Sequence, residues 1–216
     1  MNEDQIILVD KPTQISSFGV VAKVRARLRD ELGHKVKVGH TGTLDPFATG
    51  LLILLTGKMT KKSAEFLKLD KVYEATLKLG HVSTTGDPEG KITKVGGDCF
   101  EISEIIKALE LFVGKISQVP PKFSAIKING QRAYKLARAE KDFEIPAREV
   151  EIYEIKVLEY KYPELKIRVH CSSGTYIRAL ARDIGEKLGT GAYLTELRRI
   201  RVGDYDVRDA VKLVSF

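Results

Sequence analysis

The spacing of apolar residues near the N-terminus predicts a strand followed by a helix. The stretch QIILVDKP is a short apolar run that ends at Pro12, which is typical of a buried strand. The following SSFGVVAKVRARLRDEL repeats its apolar positions with a helical period, and either Ser16 or Ser17 is placed to cap it. The predicted apolar stripe of this helix consists of Val21, Val24, Leu28 and Leu32.

Three further segments have the pattern of strands. KVYEATLKLG alternates strictly, so that the face holding Tyr73 is apolar and the face holding Glu74 is polar. REVEIYEIKVLEY and ELKIRVHCSSG follow later in the chain and predict two more strands. In the second of these, the apolar face consists of Leu165, Ile167, Val169 and Cys171.

Two more segments predict helices, and one predicts a loop. EISEIIKALELFVG reads as a helix closed by Gly114, and SSGTYIRALARDIGEKLG as a helix capped near Ser173 or Thr175 and ended by Gly189. HVSTTGDPEGK reads as a loop. Because strands and helices mix without a regular βαβ rhythm, the predicted fold class is α+β, with a mixed, largely antiparallel central sheet flanked by helices.

A basic stretch, VPPKFSAIKINGQRAYKLARAEK, interrupts this pattern. Asn129-Gly130 is a strong hairpin-turn signal, and a short helix is predicted over 133–141. Its cations and aromatic residues are Lys122, Lys127, Arg132, Lys135 and Arg138 with Phe123 and Tyr134. A projecting basic hairpin with aromatic rings suits RNA, which is bound by phosphate contacts and stacking. A solvated surface excursion is the alternative.

Two charged residues stand out by their positions. Asp45 lies in GHTGTLDPFATGLL, between glycine-rich turns and directly before the apolar run 51–55, where an ordinary Asp-Pro turn is the usual interpretation. Arg178 lies in the first turns of a predicted helix, where a cation opposes the helix dipole. It therefore requires a compensating anion, and Asp45 or a phosphate group is a candidate.

Composition narrows the function classes only moderately. The 216 residues include 36 Lys and Arg against 29 Asp and Glu, a net charge of +7, which suits a polyanionic partner or simply a basic surface. Hydrophobic content of 43% and two cysteines predict a soluble, globular, cytoplasmic protein without a disulfide framework or metal quartet. No apolar stretch is long enough to span a bilayer, and the N-terminus does not have the pattern of a signal peptide.

Six ordered motifs resemble the TruB family of RNA pseudouridine synthases, in its bacterial tRNA branch. They are VDKP, GHTGTLDPFATGLL, KVYEATLKLG, VPPKFSAIKINGQRAYKLAR, CSSGTYIRALARDIG and LTELRRIRVG, and together they cover essentially every predicted element. The resemblance implies the pseudouridine synthase fold as one catalytic domain over 1–216, with an RNA-gripping insertion at about 117–148. It also implies the T-arm of tRNA as the substrate, no cofactor, no metal, no membrane, no obligatory protein partner and a monomeric state.

The resemblance also assigns residues. Asp45 matches the catalytic carboxylate, Arg178 the arginine that pairs with it, and Tyr73 the active-site tyrosine that stacks on the flipped base. A carboxylate attacks the sugar or the ring, or removes a sugar proton, if it is ionised, and an adjacent cation favours that form. Read without the family, Tyr73 is an ordinary core tyrosine.

Further matches concern substrate binding. His40 matches the histidine that enters the RNA loop when the uridine leaves, Lys11 the lysine of the DKP motif, and Leu197 a leucine of the base pocket. The alternatives are a loop histidine, a solvated strand end and plain core. Within the insertion, the predicted RNA-binding residues are Lys127, Arg132 and Arg138.

The sequence departs from the family pattern in three respects. Gln14 replaces a usual glycine, so the turn before the first helix is expected to differ; Thr84 also departs, in the loop before Asp87. The PUA-like C-terminal module found in many members is not expected here.

Three functional hypotheses are open, and the first is a tRNA uridine-55 synthase. A guide-RNA-dependent rRNA enzyme and a non-catalytic tRNA-folding module are the alternatives.

Overall fold

The structure is a computed structural model that describes residues 3–97, 99–128, 130–139 and 141–213. The helices are α1 (Ser17–Leu32), α2 (Ser63–Lys68), α3 (Ile102–Glu110), α4 (Ala133–Arg138) and α5 (Ile177–Lys187), with 3₁₀ turns at Gly57–Lys62 and Val207–Asp209. The strands are β1 (Ile6–Lys11), β2 (Val38–His40), β3 (Thr49–Thr56), β4 (Lys71–Leu79), β5 (His81–Ser83), β6 (Ile92–Lys94), β7 (Gly114–Gln118), β8 (Lys127–Ile128), β9 (Gln131–Arg132), β10 (Arg148–Lys161), β11 (Glu164–Cys171), β12 (Ala192–Val202), β13 (Tyr205–Asp206) and β14 (Val211–Lys212).

The chain forms two compact units, and β4 and β12 each run through both. The first comprises the residues up to Glu74 and those from Leu197 onward, and the second is Ala75–Glu196. In the first unit the strand order is β14-β1-β3-β12, with β1–β3 antiparallel and β1–β14 and β3–β12 parallel. In the second the order is β12-β4-β11-β10-β7, and the pairs β11–β10 and β10–β7 are antiparallel. The predicted α+β class with a mixed sheet is confirmed.

Helix α1 begins where its predicted N-cap places it, and Val21, Val24 and Leu28 of its predicted stripe are buried, whereas Leu32 is only half-buried. The Ser16 hydroxyl accepts a hydrogen bond from Gly19 N, and Gly33 ends the helix in the left-handed region at φ 74°. The buried face of α1 packs against strands β1 and β3, which are adjacent in the sheet, and forms one apolar cluster with them. Its members are Val9, Val20, Val21, Val24, Leu28, Val38, Leu52, Leu54 and Leu213. Truncating one such leucine to alanine typically costs about 2–5 kcal/mol of stability.

Strand β3 is the central anchor of the first unit. Leu52 and Leu54 face the α1 cluster, while Leu51, Ile53 and Leu55 face a second cluster with Phe66 and Val202. Apolar burial on both faces explains why this segment reads as a continuous apolar run rather than an alternating one. The buried run 51–55 therefore fixes the end of the preceding loop in the sheet.

The second unit follows the predicted strands β10 and β11 and helix α5. The apolar face of β11 is fully buried, as its alternation predicts, and Gly189 follows α5 with φ 70°. Residues Lys127 and Ile128 pair with Arg132 and Gln131 in the predicted hairpin, whose turn residue Asn129 lies outside the described residues.

Four local predictions were wrong in detail. The segment 81–91, predicted as a loop after β4, begins with strand β5, which pairs with β6 directly after the segment. Helix α3 ends at Glu110, and Gly114 instead begins β7. The N-cap of α5 is Tyr176, without a side-chain cap from Ser173 or Thr175. Helix α4 ends at Arg138, three residues earlier than predicted. Strand β4 is also more buried than its alternation suggests, because its polar face is covered too. Across the described ranges, none of the helices has the length and apolar character needed to cross a membrane.

Candidate active site

Asp45 lies half-buried in the connection between β2 and β3. Thr41 N donates to Ile53 O over 3.0 Å at the start of this connection, and Ala48 N donates to Asp45 O over 3.1 Å in the turn around the acid. We refer to residues 41–48 as the Asp45 loop. Both of its ends are thus closed by backbone hydrogen bonds.

The first residue of α1 binds the Asp45 loop directly. The buried Ser17 hydroxyl donates to Leu44 O over 2.9 Å and accepts from Leu44 N over 2.8 Å. One side chain therefore satisfies both backbone groups of the residue before Asp45. Because α1 is packed on the sheet, this contact fixes the loop to a rigid element.

Lys11 lies beneath the same loop and is fully buried. Its ammonium group donates to Pro12 O over 2.9 Å, to Ile15 O over 2.7 Å and to Pro46 O over 3.2 Å. An ammonium has three donors, and three backbone carbonyls occupy them here. Lys11 is therefore a structural link between the turn at 12–15 and the residue after Asp45, and its predicted contact with substrate stays a prediction.

Gln14 has a left-handed backbone, with φ 63°. Among the described residues it is the one non-glycine with a positive φ, at the position where the sequence departs from the family's glycine. Its N–H donates to Pro46 O over 2.8 Å, and Thr13 Oγ1 donates to Phe47 O over 3.1 Å. The expected difference in this turn is thus backbone strain, with the turn itself still attached to the Asp45 loop.

Arg199 fixes the loop from the β12 side. Its buried guanidinium donates through Nε to Leu51 O over 2.8 Å and through Nη2 to Gly42 O over 3.1 Å. A Cβ on Gly50, whose φ is 100°, would lie 2.2 Å from Arg199 O. Gly50 is therefore required by the close approach of the adjacent strand β12.

His40 ends β2 and is half-buried. Its Nδ1 accepts a hydrogen bond from Gly42 N over 3.4 Å. Burial, and to a lesser degree the Arg199 guanidinium, lowers the pKa of the imidazole below its ordinary value of 6.5. His40 is therefore a neutral ring at neutral pH.

Tyr73 and Leu197 belong to the same unit as Asp45, on β4 and β12. The exposed fraction of Tyr73 is 8% and that of Leu197 is 7%, so both are almost entirely covered by protein. The burial of these two side chains fits a position in a base pocket, and it fits an ordinary position in the hydrophobic core equally well. Their predicted places beside the base stay predictions.

Arg178 lies in the first turn of α5, in the second unit, and is buried. Its Nη1 donates to Thr85 O over 2.9 Å and to Asp87 Oδ2 over 3.0 Å, and its Nη2 donates to Phe123 O over 2.8 Å. The anion that a cation at this helix end requires is therefore present within the unit, as Asp87. Pairing of Arg178 with Asp45 stays a prediction.

The loop between β5 and β6 holds Asp87 in place. Asp87 Oδ1 accepts from Thr85 Oγ1 over 2.5 Å and from Glu89 N over 3.0 Å, and Ser83 Oγ donates to Asp87 O over 2.6 Å. Hydroxyl side chains at 83 and 85 thus complete the hydrogen bonding of this loop around the acid. Sequence reasoning noted Asp87 but gave it no role.

Tyr176 and Gln118 were missed by sequence reasoning. The buried Gln118 side chain accepts from Tyr176 N over 2.8 Å and donates to Tyr176 O over 3.2 Å, which fixes the start of α5. The Arg148 guanidinium lies 5.5 Å from the centre of the Tyr176 ring. In the sequence, these two residues could have been noticed only by position: Tyr176 lies two residues before Arg178, and Gln118 lies at the start of the insertion.

The insertion presents its cations to solvent. Lys127, Arg132 and Arg138 are exposed, and Arg132 Nη1 donates to Ala125 O. The Arg138 guanidinium lies 5.7 Å from the centre of the Tyr134 ring. These three predicted RNA-binding side chains therefore lie on one hairpin and the helix that follows it, available to phosphate groups.

The described residues include no group of three or more His, Cys, Asp or Glu side chains arranged to hold a metal ion. The first unit instead holds a positioned carboxylate, Asp45, and a neutral imidazole, His40. The second unit holds the Arg178 guanidinium, which is fixed by its own acid.

Comparison with known proteins places this chain and its fold among the pseudouridine synthases. Residues 29–177 match the family model described as TruB family pseudouridylate synthase (N terminal domain), and residues 178–216 match tRNA pseudouridylate synthase B C-terminal domain. The chain therefore belongs to the TruB family of pseudouridylate synthases, which are isomerases.

Individual relatives agree with this assignment. A Phocaeicola vulgatus protein named tRNA pseudouridine synthase B is 49% identical over 216 residues, which cover 99% of this chain and 92% of the relative. A Flavobacterium johnsoniae protein of the same name is 43% identical, with coverage of 99% and 95%. A solved Cbf5-Nop10-Gar1 complex includes a chain with a TM-score of 0.74 and 31% identity, of which this chain spans only 53%.

Proposed function

We propose that this protein converts uridine 55 in the T-loop of tRNA to pseudouridine, with Asp45 as the catalytic carboxylate. The substrate is supported by relatives named tRNA pseudouridine synthase B, which match 99% of the chain. The observation that carries the role of Asp45 is the fixation of its loop by Ser17, Lys11 and Arg199. Because the backbone of this loop is fixed at several points, the carboxylate is held in one position, as a catalytic group requires.

The reaction breaks the bond between the sugar C1′ and the base N1 and forms a bond between C1′ and C5. The base loses the proton of C5 and gains one at N1, so the atoms of the nucleotide balance without an external reagent. Asp45 acts either by adding to the sugar or ring or by removing a sugar proton, and both roles require the ionised form. Arg178 favours that form as its ion partner.

The remaining residues bind the nucleotide and exclude water. Tyr73 stacks on the extruded base, and Leu197 supplies an apolar wall, because water reaching a detached base and sugar would hydrolyse the intermediate. The neutral His40 ring enters the space that the uridine leaves in the RNA loop. The exposed cations of the insertion bind phosphate groups of the T-arm, and the enzyme acts as a monomer without a protein partner.

One assay tests this function directly. The purified protein alone is incubated with an unmodified tRNA transcript, and pseudouridine is mapped by carbodiimide footprinting. We expect a single modified position, 55, and none when that uridine is replaced by cytidine. Modification that appears only after a guide RNA is added would support the guided alternative, and tight binding without modification would support a folding module.

The matched variants are Asp45→Asn and Asp204→Asn. The first keeps the shape of the side chain and removes its charge and basicity, so turnover should be abolished while tRNA affinity is nearly unchanged. Asp204 is exposed, and its amide variant should retain the wild-type rate. Measurable pseudouridine formation by purified Asp45→Asn would contradict the catalytic role.

A further inference from the structure

Phe18 is an aromatic side chain left in solvent. Its exposed fraction is 65%, the largest among the big apolar side chains of the described ranges. It lies in the first turn of α1 but outside the apolar cluster beneath that helix. A single exposed apolar residue requires no explanation by itself, so its surroundings decide whether it has a role.

The surroundings of Phe18 include the Asp45 loop. Its chain neighbour Ser17 makes two hydrogen bonds to Leu44, of 2.9 and 2.8 Å, and Leu44 is the chain neighbour of Asp45. The exposed ring therefore stands one residue away from a contact that fixes the catalytic loop. The first turn of α1, which carries this ring, is therefore in direct contact with the loop that presents Asp45.

The charge around the ring is complementary to RNA. The Arg25 guanidinium lies 6.0 Å from the centre of the Phe18 ring and is itself held by a hydrogen bond of 3.1 Å to Val38 O. From Ser17 to Arg29 the sequence of α1 contains no acidic residue. Its cations in that stretch are Lys23, Arg25, Arg27 and Arg29.

We propose that Phe18 is a stacking platform for an unpaired base of the substrate RNA that flanks the target uridine. This inference rests on the proposed function and adds a binding residue to it. Loop bases are splayed out when a neighbour is extruded, and an aromatic face offers them a partner of any sequence. Lys23 and Arg25 then hold the adjoining phosphates, because Arg27 and Arg29 are already paired with Glu31 and Asp30.

The first test compares RNA affinities of Phe18→Ala and Phe18→Tyr. Loss of a base–aromatic stack should weaken binding of a T-arm stem-loop by about 5- to 100-fold, and the tyrosine variant should bind like wild type. The dependence of affinity on salt should stay unchanged in Phe18→Ala, because no phosphate contact is lost, whereas Lys23→Ala should reduce it. Wild-type affinity of Phe18→Ala would overturn the proposal.

The second test identifies the base. Stem-loops with an abasic site at one position next to the target uridine are titrated with wild type and Phe18→Ala. At the stacked position the two proteins should bind equally, whereas at the other positions the gap between them should persist. A gap that persists at every flanking position would overturn the proposal.

The third test reports the contact directly. The protein contains no tryptophan, so Phe18→Trp provides a single fluorophore whose emission a stacked base should quench. The control is Leu111→Trp, at a side chain that is 59% exposed in the other unit, and its emission should not change on RNA binding. A Phe18→Trp signal that changes with protein concentration in the absence of RNA would instead indicate contact between copies of the chain and overturn the proposal. Because all three tests measure binding, they give an answer even if wild type fails to modify uridine 55.

Discussion

Arg178 and Asp87 form a buried ion pair in which Nη1 lies 3.0 Å from Oδ2 and the side chains are 5% and 4% exposed. The two residues are 91 positions apart, and the pair joins the start of α5 to the loop between β5 and β6. Through its second nitrogen, Arg178 also binds Phe123 O at the root of the insertion. A predicted catalytic group is thus fixed by three neighbours before any substrate arrives.

We expect Asp87→Ala to destabilise the protein strongly. Removing one partner of a buried pair leaves an uncompensated charge and typically lowers the free energy of unfolding by about 3–5 kcal/mol. The control is Asp10→Ala, which removes the partner of Arg198 in a pair that is 25% and 39% exposed. Because that pair is partly solvated, its loss should cost only about 1 kcal/mol or less. Urea denaturation measures both, and equal losses would contradict the prediction.

We expect Arg178→Lys to lower the single-turnover rate. An ammonium cannot reproduce the planar fork that contacts Thr85 O, Asp87 and Phe123 O together, so the positive charge would be displaced. The rate should fall by about tenfold or more, which corresponds to about 1.4 kcal/mol or more of transition-state stabilisation. RNA affinity should change little. Arg182→Lys, on the same helix but 40% exposed, is the control and should react like wild type. A near wild-type rate in Arg178→Lys would show that the fork is dispensable.

We expect Gln14→Gly to stabilise the protein. For a residue with a Cβ, the left-handed conformation costs about 1–2 kcal/mol in the folded state, and glycine avoids this cost. Glycine has more freedom in the unfolded chain, however, which offsets about 0.5–1 kcal/mol of the gain. The net gain should be about 0.5–1 kcal/mol in urea denaturation. Thr13→Gly, at a neighbour without a positive φ, should instead give no gain. Stabilisation by both variants would mean that the φ of 63° at Gln14 is not the cause.

Local sequence signals predicted the elements whose stabilising contacts are themselves local. The Ser16 cap bonds a residue three positions away, and the alternation of β11 directly records which side chains are buried. The hairpin β5–β6 escaped prediction because its strands are short and largely exposed, so burial imposes no alternation on them. The alternation of apolar and polar residues arises from burial of one face of a strand, so an exposed strand does not have this signal.

The candidate site was predicted residue by residue from motifs, but its supporting contacts were not. The start of α5 is capped by Gln118, which lies 58 positions from Tyr176, and no local motif encodes that partner. Similarly, Lys11 reaches Pro46 over 35 positions, and its buried contacts give it a structural role that its sequence motif alone did not indicate. Contacts between distant segments arise only when the fold is assembled.

We expect His40 to make stability depend on pH. Above about pH 6.5 the imidazole is neutral in both the folded and the unfolded chain. Because the folded pKa is lowered below 6.5, the unfolded chain takes up the proton first on acidification, and the free energy of unfolding falls as the pH falls through the folded pKa. His40→Gln should flatten this decline in urea denaturation below about pH 6.5. His34→Gln, at an exposed histidine, controls for the loss of a ring. If the free energy of unfolding of His40→Gln fell with pH as steeply as that of the wild type, His40 would not be the group responsible.

We expect the insertion to supply much of the salt dependence of RNA binding. Lys127, Arg132 and Arg138 are exposed on one hairpin and helix, so each can neutralise a phosphate and release its condensed counterion. Replacing all three with alanine should reduce the slope of log affinity against log salt by up to about three. The slope is measured by titrating a T-arm stem-loop at several salt concentrations.

A second triple variant separates these contacts from net charge. Lys58, Lys115 and Lys156 have side chains that are 88%, 68% and 60% exposed and lie outside the insertion hairpin. Their replacement with alanine removes the same charge from the chain. It should leave the salt slope nearly unchanged, because none of the three lies on the insertion or on α1, where phosphate contacts are proposed. Equal reductions of the salt slope in both triple variants would show that the whole basic surface attracts the RNA. Long-range attraction depends on the total charge of the protein, whereas a condensed counterion is released only where a cation contacts a phosphate.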